Sequence, residues 1–88
     1  MLIEFDPVKD AINCRKHGIS LRAAESFEWD TAHIIEDIRD DYPEQRFKAT
    51  GYIGARLYTV IYCLRDDVAR IISLRLSTPK EARHYANA

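Results

Sequence analysis

The hydrophobic positions fall into two regimes, helical up to about Phe27 and extended from Ala32 onward, with one more helix at the C-terminal end. Leu2 to Phe5 reads as a short strand. Asp6-Pro7 opens a helix, with Asp6 as the cap and Pro7 at the first helical position, where its missing N–H costs nothing. Val8, Ala11 and Ile12 stand at i, i+3 and i+4, the spacing of a buried stripe. Arg15, Lys16 and His17 suit the negative end of the helix dipole, and Gly18 is a left-handed terminator. Ser20 caps a second predicted helix, Leu21 to about Phe27, with Leu21, Ala24 and Phe27 facing inward.

Ala32 to Glu36 is a short strand candidate, followed by an acidic turn from Asp37 to Glu44. Arg46 to Ile53 alternates, with Phe47, Ala49, Gly51 and Ile53 on one side and Arg46, Lys48, Thr50 and Tyr52 on the other. Gly54 marks a turn. Leu57 to Leu64 is almost continuously apolar, as expected of a central strand covered on both faces. Asp66-Asp67 turns the chain into a last strand, Val68 to Leu76. Thr78-Pro79-Lys80-Glu81 is a capping box that starts a helix running to about Asn87, with Ala82, Tyr85 and Ala86 on one face. Together these elements predict one α+β domain spanning residues 1–88: a small, mainly antiparallel sheet with the N-terminal helices packed on one side, and a C-terminal helix.

Composition narrows the classes. The 88 residues are 47% hydrophobic and 31% charged, the balance of a folded globule. No apolar run is long enough to span a membrane, and the early acidic residues Glu4 and Asp6 are unlike a signal peptide, so a cytoplasmic protein is expected. Cys14 and Cys63 lie far apart and outside any metal-ligand spacing; two reduced thiols are expected. The formal net charge of −1 gives no general attraction to nucleic acid. Its distribution matters more: acid gathers between Glu25 and Glu44, whereas Arg65, Arg70, Arg75, Lys80 and Arg83 make the C-terminal third mildly basic.

Strict period two along the last strand puts Arg70, Ile72, Leu74 and Leu76 on one face, and Ile71, Ser73 and Arg75 on the other. If Ile72 and Leu74 meet the helices, Ser73 and Arg75 look out of the open face, and Arg46 and Lys48, or their neighbours, are aimed to a consistent side two strands away. Guanidinium forks on an open sheet match phosphate oxygens. They equally serve to solubilise such a face. His17 is a base or acid of suitable strength, or simply a helix C-terminal cation. Glu81 is a possible base whose capping role already accounts for it, and Tyr85 lies one turn further along the same helical face. His33 and His84 have no evident partner, and three scattered histidines offer no metal site. No P-loop, nucleophile elbow or dinucleotide-binding glycine pattern is present.

Taken in order, several segments resemble the BrnT family of toxins. They are Phe5-Asp6; Asn13 with Lys16-His17-Gly18-Ile19; Ala24 near Phe27; Glu44-x-Arg46 leading to Gly51; Val60-Ile61-Tyr62; Arg70-Ile71-Ile72-Ser73-Leu74-Arg75; and Glu81 with Tyr85. Lys-His-Gly followed some fifty residues later by Arg-Ile-Ile-Ser-x-Arg is the most specific part. Leu74 and Leu76 depart from the pattern, which more usually has small or polar residues there. The resemblance implies a fold like that of RelE-type ribonuclease toxins and metal-independent RNA cleavage that inhibits translation and growth, with no cofactor. It also implies neutralisation by a BrnA-like antitoxin, through which alone operator DNA would be contacted. On that footing Arg46 and Arg75 stabilise charge on the phosphate, His17 or Glu44 acts as base or acid, and Lys16 and Tyr85 support them. Lys48, Arg70 and Arg83 are further RNA contacts. The competing class is a non-catalytic module that binds a DNA-binding antitoxin as co-repressor, its arginines then meeting the partner.

Overall fold

In the computed structural model, which describes residues 1–88, the elements are β1 (Ile3–Glu4), α1 (Pro7–His17), two 3₁₀ segments (Leu21–Ser26 and Trp29–Thr31), β2 (His33–Asp37), β3 (Arg46–Ile53), β4 (Arg56–Arg65), β5 (Val68–Leu76) and α2 (Pro79–Ala86). The five strands form one sheet in the order β1-β5-β4-β3-β2. Strands β2 to β5 pair antiparallel, but β1 runs parallel to β5 through Ile3 opposite Ala69 and Glu4 opposite Arg70. The sheet is therefore mixed, which corrects the expected mainly antiparallel one. Nothing local in Leu2 to Phe5 signals a partner sixty-six residues away; parallel pairing requires a crossover, and the intervening chain supplies it.

The local punctuation is as the residues predict. Asp6 accepts from the Val8 N–H at 2.8 Å, and Gly18 ends α1 with φ 71°. Ser20 caps the first 3₁₀ segment, and Thr78 and Glu81 form both halves of the capping box. Asp66 and Asp67 both take positive φ, 50° and 66°, in the two-residue turn between β4 and β5, the geometry whose twist matches paired strands. The segment after Ser20 is 3₁₀ rather than α-helical. Leu21, Ala24 and Phe27 recur every third residue, which is the 3₁₀ period and keeps all three on the sheet.

The core lies between these segments and one sheet face: Leu21, Ala24 and Phe27 against Ala49, Val60, Tyr62, Ala69, Ile71 and Leu74. Phe27, Trp29, Tyr62 and Phe47 pack in sequence with ring centroids 4.8, 5.1 and 5.6 Å apart. Gly51 is required here, because a Cβ on it would lie 2.8 Å from the Phe27 ring. Residues Thr59 to Cys63 of β4 are all buried, as a central strand covered on both faces should be.

Two further expectations are overturned. The predicted buried stripe of α1 is exposed: Val8 is 67% accessible, Ile12 49%, and the only buried residue of the helix is Asn13. Strand β1 covers just two residues of β5, so the remaining β5 edge presents unpaired backbone. The Asn13 side-chain amide donates to the Leu74 carbonyl at 2.8 Å and accepts from the Leu74 N–H at 3.2 Å, while also donating to Ile19 at 2.9 Å. A single amide thus stands in for a strand, and satisfying that edge orients α1 in place of the apolar stripe.

The second concerns β5. Ile61 pairs with Ser73, yet Tyr62 pairs with Ile71, so Ile72 is an extra residue in a β-bulge. Ala69 and Ile71 face the core before it and Leu74 after it. Arg70, Ser73 and Arg75 consequently share the face away from the core, whereas strict alternation separates Arg70 from the other two. Leu74, one of the departures from the family pattern, is fully buried core.

Candidate active site

On the face away from the core, cross-strand neighbours form rows: Thr50, Thr59 and Arg75; then Lys48, Ile61 and Ser73; then Cys63 and Arg70, with Arg46 at the level of Cys63 on β3. Helix α2 lies on this face, opposite the 3₁₀ segments, and inserts Glu81 into the first two rows. Arg75 grips the Glu81 carboxylate with two parallel bonds, Nη1 to Oε1 at 2.8 Å and Nη2 to Oε2 at 2.9 Å. Lys48 Nζ reaches Oε2 at 2.8 Å. Thr59 Oγ1 and the Thr78 backbone N–H donate to Oε1 at 2.9 and 2.8 Å, and Ser77 shares a 2.8 Å hydrogen bond with Thr59. Burial alone pushes the Glu81 carboxyl up; the bonds from Arg75, Lys48, Thr78 and Thr59 overcome it and hold the group far below the usual carboxylate range. Glu81 is therefore ionised near neutral pH, where it orients two cations and is a weak base.

Beside this hub, the C-terminal turn of α1 and the bulged part of β5 enclose a cleft of about 230 Å³ lined by Lys9, Ile12, Asn13, Lys16, His17, Ile72 and Ser73. Because Asn13 pins α1 to Leu74, His17 is carried to the neighbourhood of Arg75. Its imidazole is lowered from the ordinary histidine value, first by burial and then by the positive charges of Lys16 and Arg75. An imidazole whose proton affinity is lowered by burial and by the neighbouring positive charges of Lys16 and Arg75 is suited to act as a base.

The structure therefore brings together His17, Lys16, Lys48 and Arg75 from the sequence-derived set. Tyr85, one turn after Glu81, packs edge-on against Tyr52 at 5.6 Å and walls the same end of the face. Arg70 is on this face, paired with Glu4 at 3.5 Å. Three others lie elsewhere. Arg46 is four residues along β3 from Thr50, about 13 Å at the usual strand rise, with its guanidinium 4.0 Å from the Tyr42 ring and its Nε buried without a partner. Glu44 is bound to Arg65 at 3.3 Å, six residues along β4 from Thr59, or about 20 Å. Arg83 is exposed two residues past Glu81, on the side of α2 turned from the sheet.

Sequence reasoning passed over Lys9, Ser73 as part of the cleft, and Glu81 as the hub. The signal for Glu81 was present but ambiguous, because the same carboxylate also completes the capping box. No group of three or more His, Cys, Asp or Glu side chains is arranged to hold a metal ion, and no helix is long and apolar enough to cross a membrane.

Among protein families, the model that matches is described as "Ribonuclease toxin, BrnT, of type II toxin-antitoxin system", over residues 5–81. A search of curated proteins finds no match. The matched span contains every residue of the cleft and of the Glu81 hub.

Proposed function

The chain belongs to the BrnT family of ribonuclease toxins of type II toxin–antitoxin systems, and on that premise we propose that it cleaves RNA, without a metal, at the cleft lined by His17, next to the Arg75–Glu81 pair. The observation that carries this reading is the geometry by which Glu81 clamps Arg75 and Lys48 on the face beside the cleft that His17 lines.

The neutral imidazole of His17 removes the proton of a ribose 2′-hydroxyl. The O2′–phosphorus bond forms, the phosphorus–O5′ bond breaks, and the departing O5′ takes a proton from water, leaving a cyclic phosphate. Negative charge grows on the phosphoryl oxygens during this step. Arg75 and Lys48 stand ready to receive it without reorganising, because Glu81 has already oriented them. Lys16 and Lys9 seat the neighbouring backbone, and Tyr85, packed on Tyr52, stands at the α2 end of the face. Arg46 and Arg70, both in the third row, accompany the strand rather than the reacting phosphate. Glu44 and Arg83 are too distant to join it. Inhibition of translation and growth, a RelE-like relationship of folds, and neutralisation by a BrnA-like antitoxin that alone touches operator DNA complete the reading. The cytoplasm, where the RNA is, is its expected location.

The test is growth after inducing the chain alone, beside His17→Ala and Arg75→Ala, and beside co-expression of the neighbouring gene's product. It is paired with cleavage of RNA by the purified proteins in the presence of a chelator. Arrest by the wild type, relieved by either substitution or by the partner, with cleavage that survives the chelator, is the expected result. Normal growth with soluble protein would instead favour the non-catalytic binding module.

A further inference from the structure

Strand β2 ends the sheet, and its outer edge pairs with nothing. Ile34 and Ile35 on it are 43% and 44% accessible, and Ile38, just beyond, 79%. An open edge with apolar side chains is a template for another strand, and proteins usually blunt such edges with charge. Here the charge has one sign. From Glu25 to Glu44 eight carboxylates stand against a single arginine, Arg39, which is itself bound to Asp37 at 2.8 Å. In the rest of the chain twelve lysines and arginines stand against six carboxylates. The formal charge of −1 conceals two poles, a basic one that includes the cleft lined by Lys9, Lys16 and His17 and an acidic one along β2 and its flanking loops.

That polarity selects the occupant. A second copy pairing edge to edge would bring two acidic poles together, Glu36, Asp40 and Asp41 of each among them, and like charges repel. An extended segment that alternates apolar with basic side chains meets no such penalty. It gains the backbone ladder, apolar contact and opposite charge together.

We infer that the free edge of β2 is the docking site for one strand of the antitoxin. That strand is an apolar and basic segment that lengthens the sheet, lying against Ile34, Ile35 and Ile38 with its cations toward Glu36, Asp40 and Asp41. The inference rests on the family reading for the existence of the partner; the edge and its charge supply the place and the chemistry. Because β2 is three strands from β5, about 14 Å across the sheet, this contact is separate from the cleft.

Hydrogen exchange of the full chain, alone and with the neighbouring gene's product, tests it together with titration calorimetry at low and high salt. Slowed exchange of the amides in 33–38 on complex formation is expected. Asp40→Lys/Asp41→Lys weakens the complex about tenfold or more and flattens its salt dependence, and Ile38→Lys weakens it independently. Protection confined to α1 or the cleft, or wild-type affinity in both variants, would overturn the proposal. So would self-association of the chain alone through this edge, which would make the occupant a second copy. A partner that docks on β2 when neither protein affects growth or RNA would sink the toxin reading and leave this one standing. Growth arrest relieved by a partner bound elsewhere would do the reverse.

Discussion

Arg75 and Glu81 face one another through two parallel hydrogen bonds of 2.8 and 2.9 Å, one side chain from β5 and the other from α2, six residues apart across a turn. The same carboxylate caps α2 and holds Lys48 on β3, so helix initiation, attachment of α2 to the sheet and orientation of two cations depend on one group. Removing it strands two partly buried cations.

Glu81→Ala is expected to destabilise the fold by about 3 kcal/mol, in the range for breaking one partner of a buried ion pair, read by chemical denaturation. Glu81→Gln keeps the shape and part of the cap, and is expected to lose less stability while still lowering the RNA-cleavage rate about tenfold or more, because neutral glutamine no longer locks the two cations. Wild-type cleavage by Glu81→Gln would show that Arg75 and Lys48 need no such anchor.

Acid should weaken the fold through the same group. The folded-state value of Glu81 lies far below its ordinary value of 4.5, so its contribution is present above that value and declines as pH falls beneath it. Asp10, held down by the Leu21 N–H and Ser20, and Asp37, held down by Arg39, act in the same direction. Thermal melts between pH 7 and pH 3 should show a falling Tm below about pH 4.5, with a shallower fall in Glu81→Gln.

His17 should titrate below the ordinary histidine value of 6.5. The acid limb of the cleavage rate should follow it, active when the imidazole is neutral and lost as pH drops. Lys16→Gln removes one of the positive neighbours, so both the His17 proton resonance and the acid limb should move up in pH. An unmoved limb with a moved resonance would remove His17 from the role of base.

Asn13→Leu preserves size and suits the helix, yet it leaves the Leu74 N–H and carbonyl without their partner at the β5 edge. A loss of about 2–3 kcal/mol is expected from the unsatisfied buried groups, and cleavage should fall with it because α1 no longer holds His17 beside Arg75. A neutral effect on both would mean that α1 is held in place by other contacts.

Gly51→Ala is expected to cost about 1–3 kcal/mol by overpacking against Phe27. In contrast, Asp66→Asn with Asp67→Gly should stabilise by about 1 kcal/mol, because both positions take positive φ and that pair suits the turn. Denaturant midpoints of the two variants should move in opposite directions.

Local chemistry was legible in the residues themselves. The Asp6, Ser20 and Thr78 caps, the Gly18 terminator, the Asp66-Asp67 turn, the inward set Leu21, Ala24 and Phe27, and the central position of β4 each depend on neighbours a few residues away, and side-chain type alone is enough to specify them. So were Lys16, His17, Lys48 and Arg75 as candidates, through family resemblance more than through physics. What sequence could not reveal were the long-range choices. The parallel β1–β5 pair joins distant segments, and no local pattern encodes a partner's direction. The bulge at Ile72 breaks period two where ladder register, not side-chain preference, decides. The exposed Val8 and Ile12 yield to Asn13 because an unpaired strand edge in the interior must be satisfied before an apolar stripe can be buried. Glu81 was visible as a cap and hidden as a hub, since its second role exists only once β3, β4 and β5 bring Lys48, Thr59 and Arg75 to one carboxylate.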